Sequence, residues 1–599
     1  MRWIPRIPEA PVVSGLNSTA FLSADELARE LSLLPTVARL LVNRGICTAE
    51  SARSFLNPSL AQLLSPYLMC GMEKAVERLL SAIEKRERIL IYGDYDVDGT
   101  MAVVILKTVI DICGGQCDFH VPHRLLEGYG MRDEVIERAA AEGVSLIISV
   151  DTGIRAFAAA ETAERLGLDL IVTDHHLPHG QGVPRALAVL NPNQAGCEYP
   201  CKALCGAGVA FKVAQALLEK TARQRLIPSF LKVVAIATVA DAVPLVGENR
   251  VFVKLGLEGL SRPVNAGLKA LLEICELNHG RSLTATDVGF RIAPRMNAAG
   301  RMDVAKDVIE LFTEKDAEKA KEIATRLNQL NGDRQQEEAR ITDKIRKQVE
   351  ESPALRDAAC MVVHGEGWHR GVIGICASRV VERYCRPALV ISTDGPEAHG
   401  SGRSISSFHL LNALESCAEL FTRFGGHAHA VGFALPSERL PELATRLDSF
   451  ARARLTEADF EHVLEYDDAL SLDELTPALW DSLCRLEPFG MSNPLPRFIA
   501  RNVRLMREPR IMKEKHIKLL LSRFGDPNSR SNGLSRTIDA LGWRQAERLA
   551  TTPLRTNDSI DIAFSIERNN HAEFGGSLQL ILSDFLSSVA AASTAATNA

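Results

Sequence analysis

Arg88-Ile89-Leu90-Ile91-Tyr92-Gly93-Asp94-Tyr95-Asp96-Val97-Asp98-Gly99-Thr100 is the stretch from which the rest of the chain can be read. Its first five residues form a short, largely apolar run that predicts a buried strand, and a glycine then introduces aspartates at 94, 96 and 98. Alternate residues of an extended chain project to one side, so the three carboxylates are expected to face a common point. At about 5 Å and an effective dielectric of ~20, each such pair repels by roughly 3 kcal/mol. A chain gathers acids in this way to bind a hard divalent cation, or keeps one of them protonated. The alternative is a solvated polar turn in which one aspartate caps the helix that follows at Gly99.

Working outward, strands alternate with helices. Arg88 to Tyr92 is expected as a strand, Met101 to Ile112 as a helix, Cys117 to Val121 as a strand and Arg132 to Glu142 as a helix. Ser145 to Val150 reads as a strand, Ala156 to Leu166 as a helix and Asp169 to Thr173 as a strand. This alternation predicts an α/β domain built on a parallel sheet with helices on both faces. Ligands bind such sheets beyond the carboxyl ends of the strands. Asp151 directly follows one strand and Asp174-His175-His176 another, so three strands deliver acids and imidazoles to one rim. Each has a plain alternative: Asp151-Thr152-Gly153 as a turn and cap, the two histidines as surface residues. Their joint occurrence argues for a metal site. Asp241, ending the apolar run Val234 to Ala240, is a further contributor, or a solvated residue at the end of a helix. Oxygen and nitrogen donors without cysteine suit manganese or magnesium, and there are more carboxylates than one ion can use.

Asp94 to Gly99, Asp151-Thr152-Gly153, Asp174-His175-His176 and Asp241 stand in the order of the four motifs of the DHH phosphoesterase superfamily, which the chain resembles. Tyr92 to Gly99, Leu204 to Phe211, Arg291 to Arg301 and Gly425 to Gly432 are similar to its RecJ-like branch of exonucleases. The resemblance spans about residues 35 to 585. It implies that Asp96, Asp98, Asp151, His175 and Asp241 hold two manganese or magnesium ions, with Asp151 bridging and Asp94 a further ligand. His176 is expected at the scissile phosphate or leaving group, so Asp151, His175 and His176 form the catalytic set. The implied activity is single-strand-specific 5′→3′ hydrolysis of DNA to 5′-mononucleotides in repair and recombination. A monomer served by a single-strand-binding protein and a helicase is the implied setting. One rival is a DHH phosphodiesterase of short oligonucleotides, cyclic dinucleotides or pyrophosphate. The other is a non-catalytic single-strand-binding scaffold.

Residues 1–75 read as a helical cap, with Ser23 as an N-cap, helices at Ala24 to Leu34, Thr36 to Leu41 and Ala49 to Phe55, and Pro35 as an interruption. The catalytic α/β domain is expected over 76–312. A charged helix laced with i,i+4 pairs is expected over 313–352. A second α/β domain, of DHHA1 type by the resemblance, is expected over 353–458. Its glycine-rich segments, Gly400 to Ser404 and Gly425 to His429, are candidate phosphate cradles with Ser401, Arg403 and His427 as donors. With Ser401 and Arg403, either Arg295 or Arg301 is expected to bind the 5′ phosphate, while Arg124 guides the strand. Short strands over 459–585 predict a small barrel, which the resemblance makes an OB-fold. The basic run Arg501, Arg504, Arg507, Arg510, Lys513, Lys515 and Lys518 is there a candidate single-strand-binding stripe, or a solvated edge. Residues 586–599, rich in Ala, Ser and Thr, are expected to be disordered.

Across 599 residues the net charge is −6, so any surface for nucleic acid must be local. Thirteen irregularly spaced cysteines predict reduced thiols, and Cys197, Cys201 and Cys205 lack a fourth partner for zinc. No secretory run or uninterrupted apolar span is present, which predicts a cytoplasmic protein outside the membrane.

Overall fold

The computed structural model describes residues 1–7, 21–124, 126–128, 130–277, 282–302, 305–523, 537–569 and 577–587. The chain divides into two compact units, Leu60–His462 and Met1–Ser59 with Val463–Ala599.

In the first unit, five parallel strands lie in the order Gln116–His120, Arg88–Tyr92, Val144–Val150, Asp169–Thr173, Ala188–Leu190. Ile89 and Ile91 face one apolar core and Leu90 and Tyr92 another, as expected of a strand covered on both sides. Each such aliphatic side chain contributes about 2 kcal/mol by burial. The helices Val97–Ile112 and Gly206–Lys220 are buried along most of their length and Ile227–Ala240 along half of it, and all three join one core.

The helix Ala317–Glu351 fills the place of the expected connector. Ala320, Ala324 and Leu327 belong to the core of the first sheet, whereas Ile341, Ile345 and Val349 belong to a core with Met361, Val363 and Trp368. One helix therefore seeds two hydrophobic clusters, and its remaining faces carry the pairs Arg334–Glu338, Lys347–Asp343 and Arg346–Glu350. The second sheet runs Arg423–Gly426, Ala430–Pro436, Glu397–Arg403, Ala388–Ser392, Met361–Gly365, and only its last pair is parallel.

Gly400 and Gly402 are not a loop. They lie inside the strand Glu397–Arg403, where a Cβ on Gly400 would sit 2.1 Å from the Phe433 ring. Glycine there admits an aromatic side chain to the core face, and the alternation leaves His399, Ser401 and Arg403 together on the other face.

In the second unit, the strands Phe498–Leu505, Ser559–Arg568, Leu578–Ser587, Thr537–Gly542 and His516–Arg523 pair in sequence. The last returns to pair with the first, which closes a barrel. The first 75 residues are not one cap. Helices Ala24–Leu31, Pro35–Asn43 and Ala49–Leu56 share a core with this barrel, Leu27, Leu40 and Leu41 packing with Leu470, Phe498 and Phe564. Residues from Leu60 onward, including Met69 and Met72, belong to the first unit. Pro35 begins a helix rather than interrupting one, because a proline at the first helical position has no N–H to lose. Of the expected tail, Leu586 and Ser587 still belong to a strand, and 588–599 lie outside the described residues.

All thirteen cysteines are free thiols. Among the described residues no helix is long and apolar enough to cross a membrane.

Candidate active site

The aspartates of the opening stretch do not lie on an extended chain. The helix begins at Val97, four residues before the expected start, so Asp96 is its N-cap and Asp98 lies in its first turn. Asp96 Oδ1 accepts from the Gly99 N–H at 3.0 Å, the capping role considered above as the alternative. Convergence comes from the tertiary fold. Asp98 is buried, and its two oxygens accept from the backbone N–H groups of Gly206 (2.6 Å) and Ala207 (2.8 Å), at the N-terminus of the next core helix. Gly206 must be glycine: a Cβ would lie 2.5 Å from the Asp151 side chain.

Asp151 leaves the strand Val144–Val150 with φ +58, a left-handed conformation that costs a non-glycine residue about 1 kcal/mol. His175 Nε2 lies 3.2 Å from Asp151 Oδ1, 3.8 Å from Asp98 Oδ2 and 3.9 Å from Asp241 Oδ2. Three sets of ligand atoms each fit within 4.8 Å: Asp94, Asp96 and Asp151; Asp98, His175 and Asp241; Asp151, His175 and His176. All seven residues chosen from the sequence are thus in one place.

Their electrostatics are unfavourable as they stand. Burial, reinforced by neighbouring carboxylates, raises the carboxyls of Asp94, Asp98 and Asp151, and Asp241 is pushed up to about 8. Asp241 also caps the C-terminus of Ile227–Ala240, the wrong end of a helix for a negative charge. Asp94 Oδ1 and Asp151 Oδ1 are buried without a hydrogen-bond donor. Orphaned carboxylate oxygens, an imidazole and no thiolate form a donor set that fits manganese or magnesium, whose binding would replace the retained protons.

Several supports have no role that the sequence assigns, although Asp174 itself stands in the third motif. Asp174 is held by the N–H groups of Ile154, His175 and His176, and its Oδ1 lies 2.8 Å from His176 Nδ1. Asn191 and Asn193 donate to the carbonyls of His176 and His175. These asparagines follow the strand Ala188–Leu190, so the strand-end rule could have found them. His175 is lowered by burial. In His176, whose side chain is 43% exposed, burial is outweighed by the bond to Asp174 and the charge is favoured.

Beside the acids stands a cluster of arginines. Arg124 lies over the Tyr95 ring at 4.9 Å, and Arg301 Nη1 donates to the Gly371 carbonyl at 3.1 Å. Arg403 Nη1 donates to Ser401 Oγ and the Gly402 carbonyl. Burial and the positive charges of Arg124, Arg403 and Arg334 hold Arg301 down to about 10. Arg295 is not brought into this cluster. It donates to Asn328, on the connecting helix, and to the Arg291 carbonyl. His427 sits exposed in the turn after Arg423–Gly426, within the electrostatic reach of Arg403. Tyr95 and Arg334 are further site residues for which the sequence carried no separate signal.

Three family models match in order: the DHH family N-terminal domain over residues 88–238, the DHHA1 domain over 357–453 and the RecJ OB domain over 466–584. The single-stranded-DNA-specific exonuclease RecJ of Dickeya dadantii is 35% identical over 92% of this chain and 96% of its own. The chain belongs to the RecJ family. RecJ of Bacillus subtilis is 40% identical over 91% of this chain, which spans 66% of that longer protein. The crystal structure of RecJ with Mn2+ from Thermus thermophilus superposes with a TM-score of 0.79 and 28% identity, covering 98% of this chain and 79% of that one. A second structure from the same organism contains Mg2+. Membership places the acid and imidazole cluster in a metal-dependent nuclease with DHH, DHHA1 and OB domains.

Proposed function

We propose that the chain is a single-stranded-DNA-specific exonuclease that works 5′→3′ and releases 5′-mononucleotides by two-metal-ion hydrolysis, in DNA repair and recombination. The carrying observation is the juxtaposition of two repulsive clusters: acids with orphaned oxygens, and the arginines at 124, 301 and 403, which form no ion pair with a carboxylate among the described residues. The first calls for cations, the second for a phosphate. The catalytic roles of Asp151, His175 and His176, and the holding of two ions by Asp94, Asp96, Asp98, Asp151, His175 and Asp241, follow from this reading. Bound ions supply an activated water and neutralise the charge that develops on phosphorus. Asp98, anchored by two backbone amides, and Asp151, held by its strained turn, fix the donor atoms. His176, oriented by Asp174 and partly exposed, is placed to donate a proton to the departing 3′ oxygen.

Ser401, Arg403 and Arg301 take the 5′-terminal phosphate, while Arg124 and His427 hold the strand. A cavity of about 190 Å³ runs from Ala240, next to Asp241, to Arg301 and Arg334, which offers the terminal nucleoside a place between the two clusters. This order supports 5′→3′ polarity. Arg501, Arg504, Arg507, Arg510, Lys513 and Lys515 of the basic stripe are exposed on the strands Phe498–Leu505 and Arg510–Met512 and the segments beside them, a rim suited to a single strand, whereas Lys518 is half-buried and paired with Asp539 at 2.8 Å. A single-strand-binding protein and a helicase supply the substrate to a cytoplasmic monomer. The deciding experiment is digestion of end-labelled single- and double-stranded DNA with Mn2+ or chelator. Early release of a 5′-labelled mononucleotide from the single strand alone, abolished by chelator, is expected; early release of a 3′ label would sink the polarity.

A further inference from the structure

A groove of about 940 Å³ adjoins the arginine cluster along three stretches of chain. Met302 follows Arg301, Leu126 stands two residues past Arg124, and His369 and Arg370 lead into the Gly371 carbonyl that holds Arg301. The volume is at the upper end of the range of small-molecule sites, about 300–1,000 Å³. A pocket meant to end at a terminal phosphate has no need of such a space behind its arginines. We propose that the groove accepts a nucleoside joined through a phosphoanhydride to the 5′-terminal phosphate, so that 5′–5′ capped single strands are substrates.

The inference rests on the exonuclease reading above, and the lining chooses the occupant. Asp333, Glu337 and Asp394 outnumber Arg340 and Arg370, so a bare polyphosphate tail is disfavoured. The carboxylates are already engaged: Glu337 with Arg340 at 2.6 Å, Asp394 with the Gly367 N–H at 2.7 Å, Asp333 with Gln329 at 2.8 Å. The side chains of Arg370 and Gln336, both exposed, make no hydrogen bond or close ion pair with another described residue, although Arg370 lies within the electrostatic reach of Asp394. They offer donors and an acceptor to a base and a sugar. Met302 and the buried Trp368 supply an apolar wall. The bond broken is unchanged: water adds to phosphorus at the first internucleotide linkage, and the 3′ oxygen of the capped nucleotide leaves and takes a proton. The product is a dinucleoside 5′,5′-pyrophosphate with its anhydride intact.

The test uses the full chain with Mn2+ on three single strands that differ only at the 5′ end: monophosphate, triphosphate, and adenosine monophosphate linked through a pyrophosphate. The capped strand should be cut within about tenfold of the monophosphate rate and faster than the triphosphate, with the intact dinucleoside pyrophosphate identified by mass spectrometry. Gln336→Trp, at an exposed helical position, should slow the capped strand about tenfold or more and leave the monophosphate strand unchanged. Persistence of the capped strand while the monophosphate strand is digested overturns the proposal, as does Gln336→Trp slowing both strands equally or neither. Inactivity of the unaltered chain on the monophosphate strand overturns the exonuclease reading instead, and this inference with it.

Discussion

Two buried polar clusters in the same unit solve opposite problems. Around Lys212, the ammonium donates to Gln215 Oε1 (2.6 Å), the Leu64 carbonyl (2.7 Å) and Glu248 Oε1 (2.8 Å), and Glu248 accepts in turn from the Leu64 N–H and the Tyr199 hydroxyl. One positive and one negative group, with every strong donor answered, make a closed structural network. Around Asp151 carboxylates outnumber the imidazoles, carboxyls are pushed upward and two buried oxygens lack donors. Burial alone does not separate structure from function. What separates them is whether the protein supplies the countercharge itself.

The contrast can be broken or sharpened by four measurements. Asp151→Ala should lower exonuclease activity by about 10³-fold or more, with the melting temperature of the chelated protein unchanged or raised, because a repulsive carboxylate is removed. Near-normal Mn2+-dependent turnover would end the assignment. Lys212→Met should do the reverse. Stability falls by about 3–5 kcal/mol, since Glu248 is left buried and unpaired, while turnover per folded molecule is retained. Arg403→Ala should cost about 10- to 100-fold on a 5′-phosphorylated end and little on a 5′-hydroxyl end, the worth of a charged hydrogen bond. Equal losses on both ends would remove the terminal-phosphate pocket.

The smallest effect concerns pH. With Asp94, Asp98, Asp151 and Asp241 all raised, the chelated folded state binds more protons than the unfolded chain between about pH 4 and 8. Its stability should therefore fall as pH rises through that window. Mn2+ should flatten or reverse the trend as cations take the place of protons. Thermal melts at pH 5 and pH 8, with chelator or Mn2+, provide the comparison. A chelated protein more stable at pH 8 would contradict the arrangement.

Much of the site was legible because its residues follow strand ends. Asp151 and Asp174-His175-His176 succeed the strands Val144–Val150 and Asp169–Thr173, whose apolar runs are unmistakable. The local geometry of Asp94 to Asp98 was misread, since alternation implies an extended chain whereas Asp96 caps a helix and Asp98 turns into it. The glycines at 400 and 402 were misread for a related reason. Glycine signals close approach but not what approaches, and here it is Phe433 at Gly400 and the side chains of Val431 and Leu410 at Gly402. Arg295 and Arg301 are indistinguishable as residue types. Asn328 draws one aside and Gly371 orients the other.

By itself the sequence determined the alternation of strands and helices, the presence of acids and imidazoles on one sheet rim, and the long charged connector, because these depend on periodicity and short-range order. Only the tertiary structure decided that Asp98 is anchored by Gly206 and Ala207, that Ser401 and Arg403 share a strand face, and that the N-terminal helices complete the barrel's core. Those outcomes depend on contacts between residues tens to hundreds of positions apart. Their energies come from shape and burial that no local pattern encodes.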